Sequence, residues 1–189
     1  MKLKQIPEDF IVDEIFDLKN FEDRDENKSK PYYYFKLTKT NYNQMRVIDV
    51  VAKTFNTSPK LVHFAGTKDK VGITSQLISV YGINELNFEK NLEHLQTTFS
   101  DLKLEFLGTF KARVNLGDNG GNSFKITVRN LEESDLDRAK IKLTKINQKG
   151  VLNFFDEQRF GYANNSHIVG KYILKNEIEN AVKEIMTSM

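Results

Sequence analysis

The sequence predicts an α+β domain in which helices flank a mixed or antiparallel sheet. Strand-like segments with alternating apolar residues are interspersed with segments of helical periodicity, without the regular spacing of βαβ units. The chain has 189 residues, which is enough for one ordinary domain or for one domain and part of a second. An apolar fraction of 39% and a charged fraction of 29% are typical of a soluble globular protein.

The first predicted strand and helix follow the opening segment. In "PYYYFKL", Tyr33, Phe35 and Leu37 fall on one side of an extended chain, so this segment predicts a strand. The stretch "NQMRVIDVVAKTF" has apolar residues at i, i+3 and i+4 spacing, which predicts a helix. Asn43 is suited to cap the N-terminus of that helix.

The next segments surround a loop that begins at a glycine. Ser58 as N-cap and Pro59 at the first helical position predict a short helix in "SPKLVHFA", which ends just before Gly66. The segment "TSQLISVYG" predicts a strand that Gly82 closes.

The middle of the chain predicts a helix, a turn-rich connection and a strand. A helix around residues 85–99 leads to "LKLEFLGTF", and "NLGDNGGNS" is rich in turn residues. The segment "SFKITVR" has strict two-residue periodicity and predicts a strand with Phe124, Ile126 and Val128 on one face.

Three helical patterns complete the chain. In the first, Ser134 is suited to be the N-cap, and the helix is expected to end near Gly150. Its apolar stripe consists of Leu136, Ala139, Leu143 and Ile146. Two further patterns cover residues 168–174 and 178–185.

Composition restricts the chemistry and the compartment. Cysteine is absent, which excludes disulfides, thiolate metal sites and thiol nucleophiles within this chain. The three histidines, His63, His94 and His167, lie far apart without a nearby ligand partner, so no metal site is predicted. No apolar run is long enough for a membrane span. Because Glu8 and Asp9 precede any apolar segment, a secretory signal is not expected, and we predict a cytosolic protein.

Basic residues crowd the middle third of a chain whose formal net charge is only +2. They are Lys111, Arg113, Lys125, Arg129, Arg138, Lys140, Lys142, Lys145 and Lys149. A locally basic face is compatible with contacts to nucleic-acid phosphates. Solvated helix and strand surfaces are the alternative interpretation.

The stretch "HFAGTKDKVGITSQ" places Asp69 between Lys68 and Lys70, in a loop that begins at Gly66. Neighbouring positive charge favours the ionised form of an aspartate, which could then serve as a nucleophile or base at a sugar carbon. A phosphate-binding loop would need more glycines, and a glycosidase would need a second, positioned carboxylate. An ordinary charged surface turn is the alternative.

A second set of candidate residues lies in the predicted strand "SFKITVR" and just before it. Asn122 and Phe124 are two residues apart, so in an extended chain both side chains project from the same face. An aromatic ring can stack on a nucleobase while an amide binds the edge of the base. Phe124 could equally be a core residue, because Ile126 and Val128 continue its stripe.

Four segments in this order resemble the TruD family of tRNA pseudouridine synthases: "IPEDFIVDEI", "AGTKDKVGITSQ", "LGDNGGNSFKITVR" and "GVLNFFDEQRFG". The resemblance runs from about Ile6 to Gly161. The fourth segment departs from the usual "GxPNYFGxQRFG" at Leu152, Phe154 and Asp156. The resemblance implies a pseudouridine synthase-like catalytic domain with a mixed, largely antiparallel sheet flanked by helices, followed by the start of a TruD insertion domain.

By this resemblance, the protein isomerises a uridine in tRNA, typically uridine 13 in the D arm, without a cofactor. The catalytic aspartate of the family falls on Asp69. The predicted substrate-binding residues are Lys4, Phe10, Lys68, Asn122 and Phe124, and the predicted loop-shaping residues are Gly66, Thr74 and Gln76. The candidate RNA contacts are Lys70, Arg113, Arg129 and Arg159. Lys4 could pair with Asp69 and keep it charged.

Members of the family continue through a long insertion domain and then return to the catalytic sheet. We therefore expect residues 1–149 to form a catalytic domain without its C-terminal strands, and residues 150–189 to begin the insertion domain. Missing strands would leave an unpaired sheet edge, through which the chain could self-associate. Two interpretations follow from the sequence: an active tRNA pseudouridine synthase, or a catalytically inactive or fragmentary RNA-binding relative.

Overall fold

The computed structural model describes residues 1–152, 160–161 and 163–187. The chain divides into two compact units, Met1–Leu131 and Glu132–Met189. The predicted boundary between residues 149 and 150 concerns family domains and stays a prediction.

The first unit is built on a six-stranded sheet. Its strands are β1 (Phe10–Ile15), β2 (Tyr32–Thr40), β3 (Val62–Phe64), β4 (Ile73–Tyr81), β5 (Leu102–Phe110) and β6 (Gly121–Ile126). The order is β5-β2-β4-β1-β6, and β3 also pairs with β4. Only the β1–β4 pairing is parallel among the described strands. The predicted α+β class with a mixed, largely antiparallel sheet is therefore confirmed.

Two strands share one side of β4. Strand β1 pairs with residues 73–75, and β3 pairs with residues 78–80. Strand β2 occupies the other edge of β4, and neither β1 nor β3 pairs with residues 76–77. The chain between β3 and β4, residues 65–72, therefore begins near residues 76–77 and ends beside the start of β1.

Apolar clusters cover both faces of the sheet. The helices of this unit are α1 (Lys19–Glu22), α2 (Gln44–Thr54) and α3 (Phe88–Thr98). On one face, Phe35 and Leu37 pack with buried residues of α2 and α3. On the other, Tyr34 and Leu77 pack with Phe21 of α1. This double coverage explains why β2 and β4 are almost continuously buried.

Several predicted elements are confirmed. Helix α2 begins after Asn43, whose Oδ1 accepts a hydrogen bond from the Met45 amide at 2.9 Å. Strand β4 ends at Tyr81, and Gly82 follows with a φ of 81°. The strand at "SFKITVR" is present as β6, which begins and ends slightly earlier than predicted.

Two predictions are wrong in detail, and one strand was not predicted. The segment "SPKLVHFA" forms only a 3₁₀ turn, Pro59–Leu61, because the next residues pair with β4 as strand β3. Strand β1 was not predicted, since a buried Glu14 interrupts its apolar alternation. The N-cap of the helix Glu133–Lys149 is Glu132 rather than the predicted Ser134. Asp135 Oδ2 accepts a hydrogen bond from the Glu132 amide at 3.1 Å.

The second unit is helical where it is described. It contains α4 (Glu133–Lys149), α5 (Ser166–Leu174) and α6 (Ile178–Thr187), in agreement with the three predicted helical patterns. Asn165 and Glu184 connect α5 and α6, with Asn165 Nδ2 donating to Glu184 Oε1 at 3.2 Å. None of the helices in the described ranges of either unit has the length and apolarity of a membrane span.

Candidate active site

A shallow pocket of about 220 Å³ lies where β1, β6 and the loop of residues 65–72 meet. Its lining residues are Val12, Thr67, Lys68, Asp69, Asn122 and Phe124. Four of the predicted site residues, distant in sequence, are thus brought together. The loop delivers the carboxylate and strand β6 delivers the amide and the ring.

The register between β1 and β6 aligns the pocket residues. Val12 lies opposite Phe124, and Glu14 lies opposite Asn122. Directly opposed residues project from the same face of a sheet, so these four side chains share one face. Phe124 is 57% exposed and Ile126 is 49% exposed. Phe124 is therefore not a core residue in this structure, and its ring is open to solvent.

Phe10 and Lys4 flank the exposed ring. The Phe10 and Phe124 ring centroids are 6.2 Å apart, with an interplanar angle of 54°. The Lys4 ammonium lies 3.7 Å from the centroid of the Phe10 ring. A cation in that position is attracted by the negative face of the ring. Lys4 therefore interacts with Phe10.

Lys68 forms a buried ion pair with Glu14. The other oxygen of Glu14, Oε1, accepts a hydrogen bond at 3.0 Å from the amide of Leu77, a residue that pairs with neither β1 nor β3. This pair fixes the loop to the sheet, since breaking it would leave a buried charge without a partner. Within the described ranges, no ion pair joins Asp69 to Lys4 or Lys68. The expected pairing of Lys4 with Asp69 is therefore not present.

Lys39 is a buried residue of the site that the sequence analysis missed. Its side chain is fully buried, and Nζ donates to the Asp69 carbonyl at 2.5 Å and to the Tyr42 carbonyl at 2.9 Å. Burial lowers the pKa of the Lys39 ammonium to about 8, while the nearby Asp69 charge opposes this shift. The signal in the sequence is a lysine that continues the alternation of Tyr33, Phe35 and Leu37.

Further hydrogen bonds hold both ends of the loop. Gln76 Nε2 donates to the Gly66 carbonyl at 3.2 Å, at the start of the loop. At its end, the Asn41 amide donates to the Gly72 carbonyl at 3.0 Å, and the Gly72 amide donates to Asn41 Oδ1 at 3.0 Å. Thr74, the third predicted loop-shaping residue, is buried opposite Lys39 in the β2–β4 register. The loop is thus fixed around Asp69.

Gly72 occupies a position that only glycine suits. Its φ is 121°, and a Cβ atom built there would lie 2.4 Å from the Phe10 carbonyl oxygen. An L side chain would meet both backbone strain and a steric overlap. The close approach of Gly72 to Phe10 joins the end of the loop to the start of β1.

Arg129 is engaged with a buried carboxylate. Its Nε donates to both oxygens of Asp9, at 2.9 and 2.8 Å. The Arg129 guanidinium lowers the pKa of the Asp9 carboxyl. A role of Arg129 in RNA contact stays a prediction, since this ion pair already occupies part of its guanidinium.

The other candidate RNA contacts lie outside the pocket lining. Arg113 Nε donates to Asn115 Oδ1 at 3.0 Å and lies 3.6 Å from a Glu26 oxygen. Lys70 is exposed in the loop. Arg159 is outside the described residues. The structure therefore leaves the RNA-contact roles of Arg113, Lys70 and Arg159 as predictions.

A metal site is not formed by the residues that the structure describes. In those ranges, no group of three or more His, Cys, Asp or Glu side chains is arranged to hold a metal ion. The chemical groups gathered at the pocket are one carboxylate, one amide, one exposed aromatic ring and a buried ion pair. This set suits the binding of a planar, polar ligand with a carboxylate beside it.

Comparisons with known proteins agree with the motifs. A model of the family described as tRNA pseudouridine synthase D (TruD) matches residues 1–189. A Methanocaldococcus jannaschii protein, "Probable tRNA pseudouridine synthase D 2", is 37% identical over 187 residues, covering 99% of this chain and 40% of that protein. The tRNA pseudouridine synthase D of Aquifex aeolicus is 32% identical over 190 residues, covering 100% of this chain and 47% of that protein.

The fold has a close counterpart in a crystal structure. A Methanosarcina mazei protein whose description carries the family name TruD superposes with a TM-score of 0.76 at 35% identity, covering 95% of this chain and 40% of that one. This likeness defines the fold as that of a pseudouridine synthase. The chain belongs to the tRNA pseudouridine synthase D (TruD) family. It spans less than half the length of these relatives.

Proposed function

We propose that this chain carries the catalytic site of a tRNA pseudouridine synthase that converts uridine 13, in the D arm of tRNA, to pseudouridine. The names of the relatives support tRNA as the substrate. The observation that carries the proposal is the pocket in which Asp69, Asn122 and the exposed ring of Phe124 converge. Asp69 is the proposed catalytic residue.

The target base must leave its stack before the glycosidic bond can be reached. Phe124 offers the exposed ring on which a flipped uracil would stack, and the Phe10 ring lies beside it in a tilted contact. Asn122 lies on the same face of β6 and can bind the polar edge of the base. Val12, between them and the loop, provides an apolar floor.

In the proposed reaction, the bond between uracil N1 and ribose C1′ breaks, and a bond from uracil C5 to C1′ forms. The proton on C5 leaves to solvent, and N1 gains a proton. The Asp69 carboxylate acts either by attacking C1′ or by removing the C2′ proton. Because the rearrangement involves no net oxidation, we propose no redox cofactor.

Tritium release tests the catalytic role of Asp69. With tRNA labelled by tritium at uridine C5, each isomerisation releases one labelled proton to water. Asp69→Asn should reduce release by more than about 1,000-fold, because the amide can neither attack nor accept a proton efficiently. The matched control is Asp23→Asn, which removes an exposed carboxylate directly after α1 and should retain the original rate.

Two outcomes would contradict the proposal. Equal release by the chain and by Asp69→Asn would remove Asp69 from the catalytic role. No release by the unchanged chain, together with salt-sensitive binding of tRNA, would instead identify a catalytically inactive RNA-binding relative. Primer-extension mapping of the product on the tRNA would test the proposed position, and modification elsewhere would contradict uridine 13.

A further inference from the structure

Lys39 is a buried cation to which the proposed chemistry gives no task. Lysine is almost never fully buried unless it is paired, since its charge loses hydration. Lys39 nevertheless occupies a fully buried position on β2, on the face that carries the pocket. The adjacent apolar positions, Phe35 and Leu37, show that this face of the strand otherwise selects apolar side chains.

Lys39 contacts the main chain of Asp69, the residue that carries the proposed catalytic carboxylate. Its ammonium donates to the carbonyl of Asp69 itself and to the carbonyl of Tyr42, just before α2. The side chain of Asp69 is exposed and lines the pocket, whereas its backbone carbonyl accepts the hydrogen bond from the buried Lys39. Hydrogen bonds from a charged donor are stronger than those between neutral groups.

The other lysines near the site are engaged elsewhere. Lys68 pairs with Glu14, and Lys4 lies over the ring of Phe10. The charged groups whose fields reach Lys39 are Asp69, which favours its ammonium form, and Lys68, which disfavours it. In the described part of the chain, Lys39 is therefore the cation that binds the loop at Asp69.

We propose that Lys39 is a positioning residue: its ammonium fixes the main chain of Asp69, so that the carboxylate is presented to the substrate in one orientation. The inference rests on the proposed function for its catalytic consequence. The contact itself does not depend on that function. A misplacement of a reacting group by about 1 Å can cost roughly 100-fold in rate, which is the scale of effect that such a residue controls.

The lowered pKa of Lys39 makes its effect on folding stability depend on pH. Burial lowers the pKa of Lys39 from 10.5 to about 8, so below about pH 8 its charge lowers the free energy of unfolding by its full amount. This loss of stability declines as the pH rises from about 8 toward 10.5. A methionine of similar length would not carry that cost. Lys39→Met should therefore keep the fold and its unfolding midpoint at neutral pH while it loses the anchored loop.

Hydrogen exchange of the backbone amides measures the anchoring without any need for activity. In Lys39→Met, the Gly72 amide, which donates to Asn41 Oδ1, should exchange at least about tenfold faster, whereas the amides of α2 and β5 should keep their rates. Lys39→Arg keeps the charge and should retain most of the protection. The matched control is Lys36→Met on the opposite face of β2, which should leave the loop unchanged.

Kinetics of tritium release measure the catalytic consequence. Lys39→Met should lower kcat by about tenfold or more with an unchanged KM for tRNA, and Lys39→Arg should restore part of the rate. A variant with the original kcat would overturn the positioning role. Unchanged exchange of the Gly72 amide in Lys39→Met would overturn the anchoring itself.

The unchanged chain provides a further test that does not depend on the folding of a variant. Raising the pH past about 8 should lower the exchange protection of the Gly72 amide, after correction for intrinsic rates, and leave α2 protected. Constant protection across that range would overturn the contribution of the Lys39 charge to the anchoring. If the unchanged chain released no tritium, the proposed function would fail, while the exchange measurements would still decide the role of Lys39 in the loop.

Discussion

At the scale of single residues, Gly72 sets how closely the Asp69 loop approaches β1. Its positive φ and its contact with the Phe10 carbonyl are two separate requirements, and Gly117 meets only the first. Gly117 has a φ of 88°, and a Cβ atom added to it would have no neighbour within 4 Å. The two glycines therefore allow backbone strain to be separated from steric overlap.

Gly72→Ala should lower the free energy of unfolding by about 2 to 4 kcal/mol, since it adds overlap with Phe10 to the strain of a positive φ. Gly117→Ala, the matched control, should cost about 1 kcal/mol, because it adds strain alone. Urea denaturation measures both values. Equal losses in the two variants would show that the contact with Phe10 does not contribute.

Site residues that lie within a short motif could be predicted from the sequence, and their partners could not. Asp69 and Asn122 were identified because neighbouring residues form recognisable patterns. The pairing of Lys68 with Glu14 depends on how β1 and β4 align, which no local pattern records. Lys39 was missed for the same reason, since one of its acceptors lies on a loop 30 residues away.

At the scale of elements, the ion pair between Asp9 and Arg129 fastens the N-terminal segment to the chain that follows β6. Asp9 ends the 3₁₀ turn Pro7–Asp9, and its carboxylate also accepts from the amides of Gln5 and Ile6. The Lys2 and Arg129 backbones form an isolated antiparallel bridge beside it. Lys4 is therefore held between two fixed points, close to Phe10.

Asp9 should give folding stability a specific acid dependence. Because the folded-state pKa of Asp9 lies below 3.8, its contribution is fully present above that pH and is lost as the pH falls through the lowered value. Asp9→Asn should thus be less stable than the unchanged chain near pH 6, and the difference should shrink near pH 3. Urea denaturation at both pH values measures this; a difference that does not change with pH would contradict it. Asp23→Asn is the control.

Elements with uninterrupted patterns were predicted, and those whose pattern is broken by a buried polar residue were not. Strands β2 and β4 and helix α2 follow from the periodicity of their apolar residues. Strand β1 carries Glu14 on its buried face, because that carboxylate has a partner in Lys68. Strand β3 is too short for a periodic signal, and its pairing with β4 decides its conformation.

At the scale of the whole molecule, both apolar clusters and every pocket residue lie within Met1–Leu131. A chain ended at Leu131 should therefore fold by itself, since both clusters lie within that range. Its amide NMR spectrum should be dispersed, as is typical of a folded domain. A collapsed spectrum would contradict this.

A chain ended at Gly120 is the matched comparison. It keeps both clusters but lacks β6, which pairs with β1 along Phe10–Ile15. Its spectrum should show the cluster residues unchanged and the β1 amides altered. If it matched the longer chain throughout, β6 would not contribute to the order of β1.

Strand β1 lies between β4 and β6 in the sheet, with the loop of Asp69 entering β4 on one side and Phe124 on β6 on the other. Neighbouring strands are about 4.8 Å apart, so the two walls of the pocket are separated by about 10 Å. That width comes from the hydrogen-bond lattice of the backbone. Side-chain substitutions can therefore change the depth and polarity of the pocket. The width of the pocket is instead set by the spacing between neighbouring strands, and Val12 of β1 lies midway between the two walls.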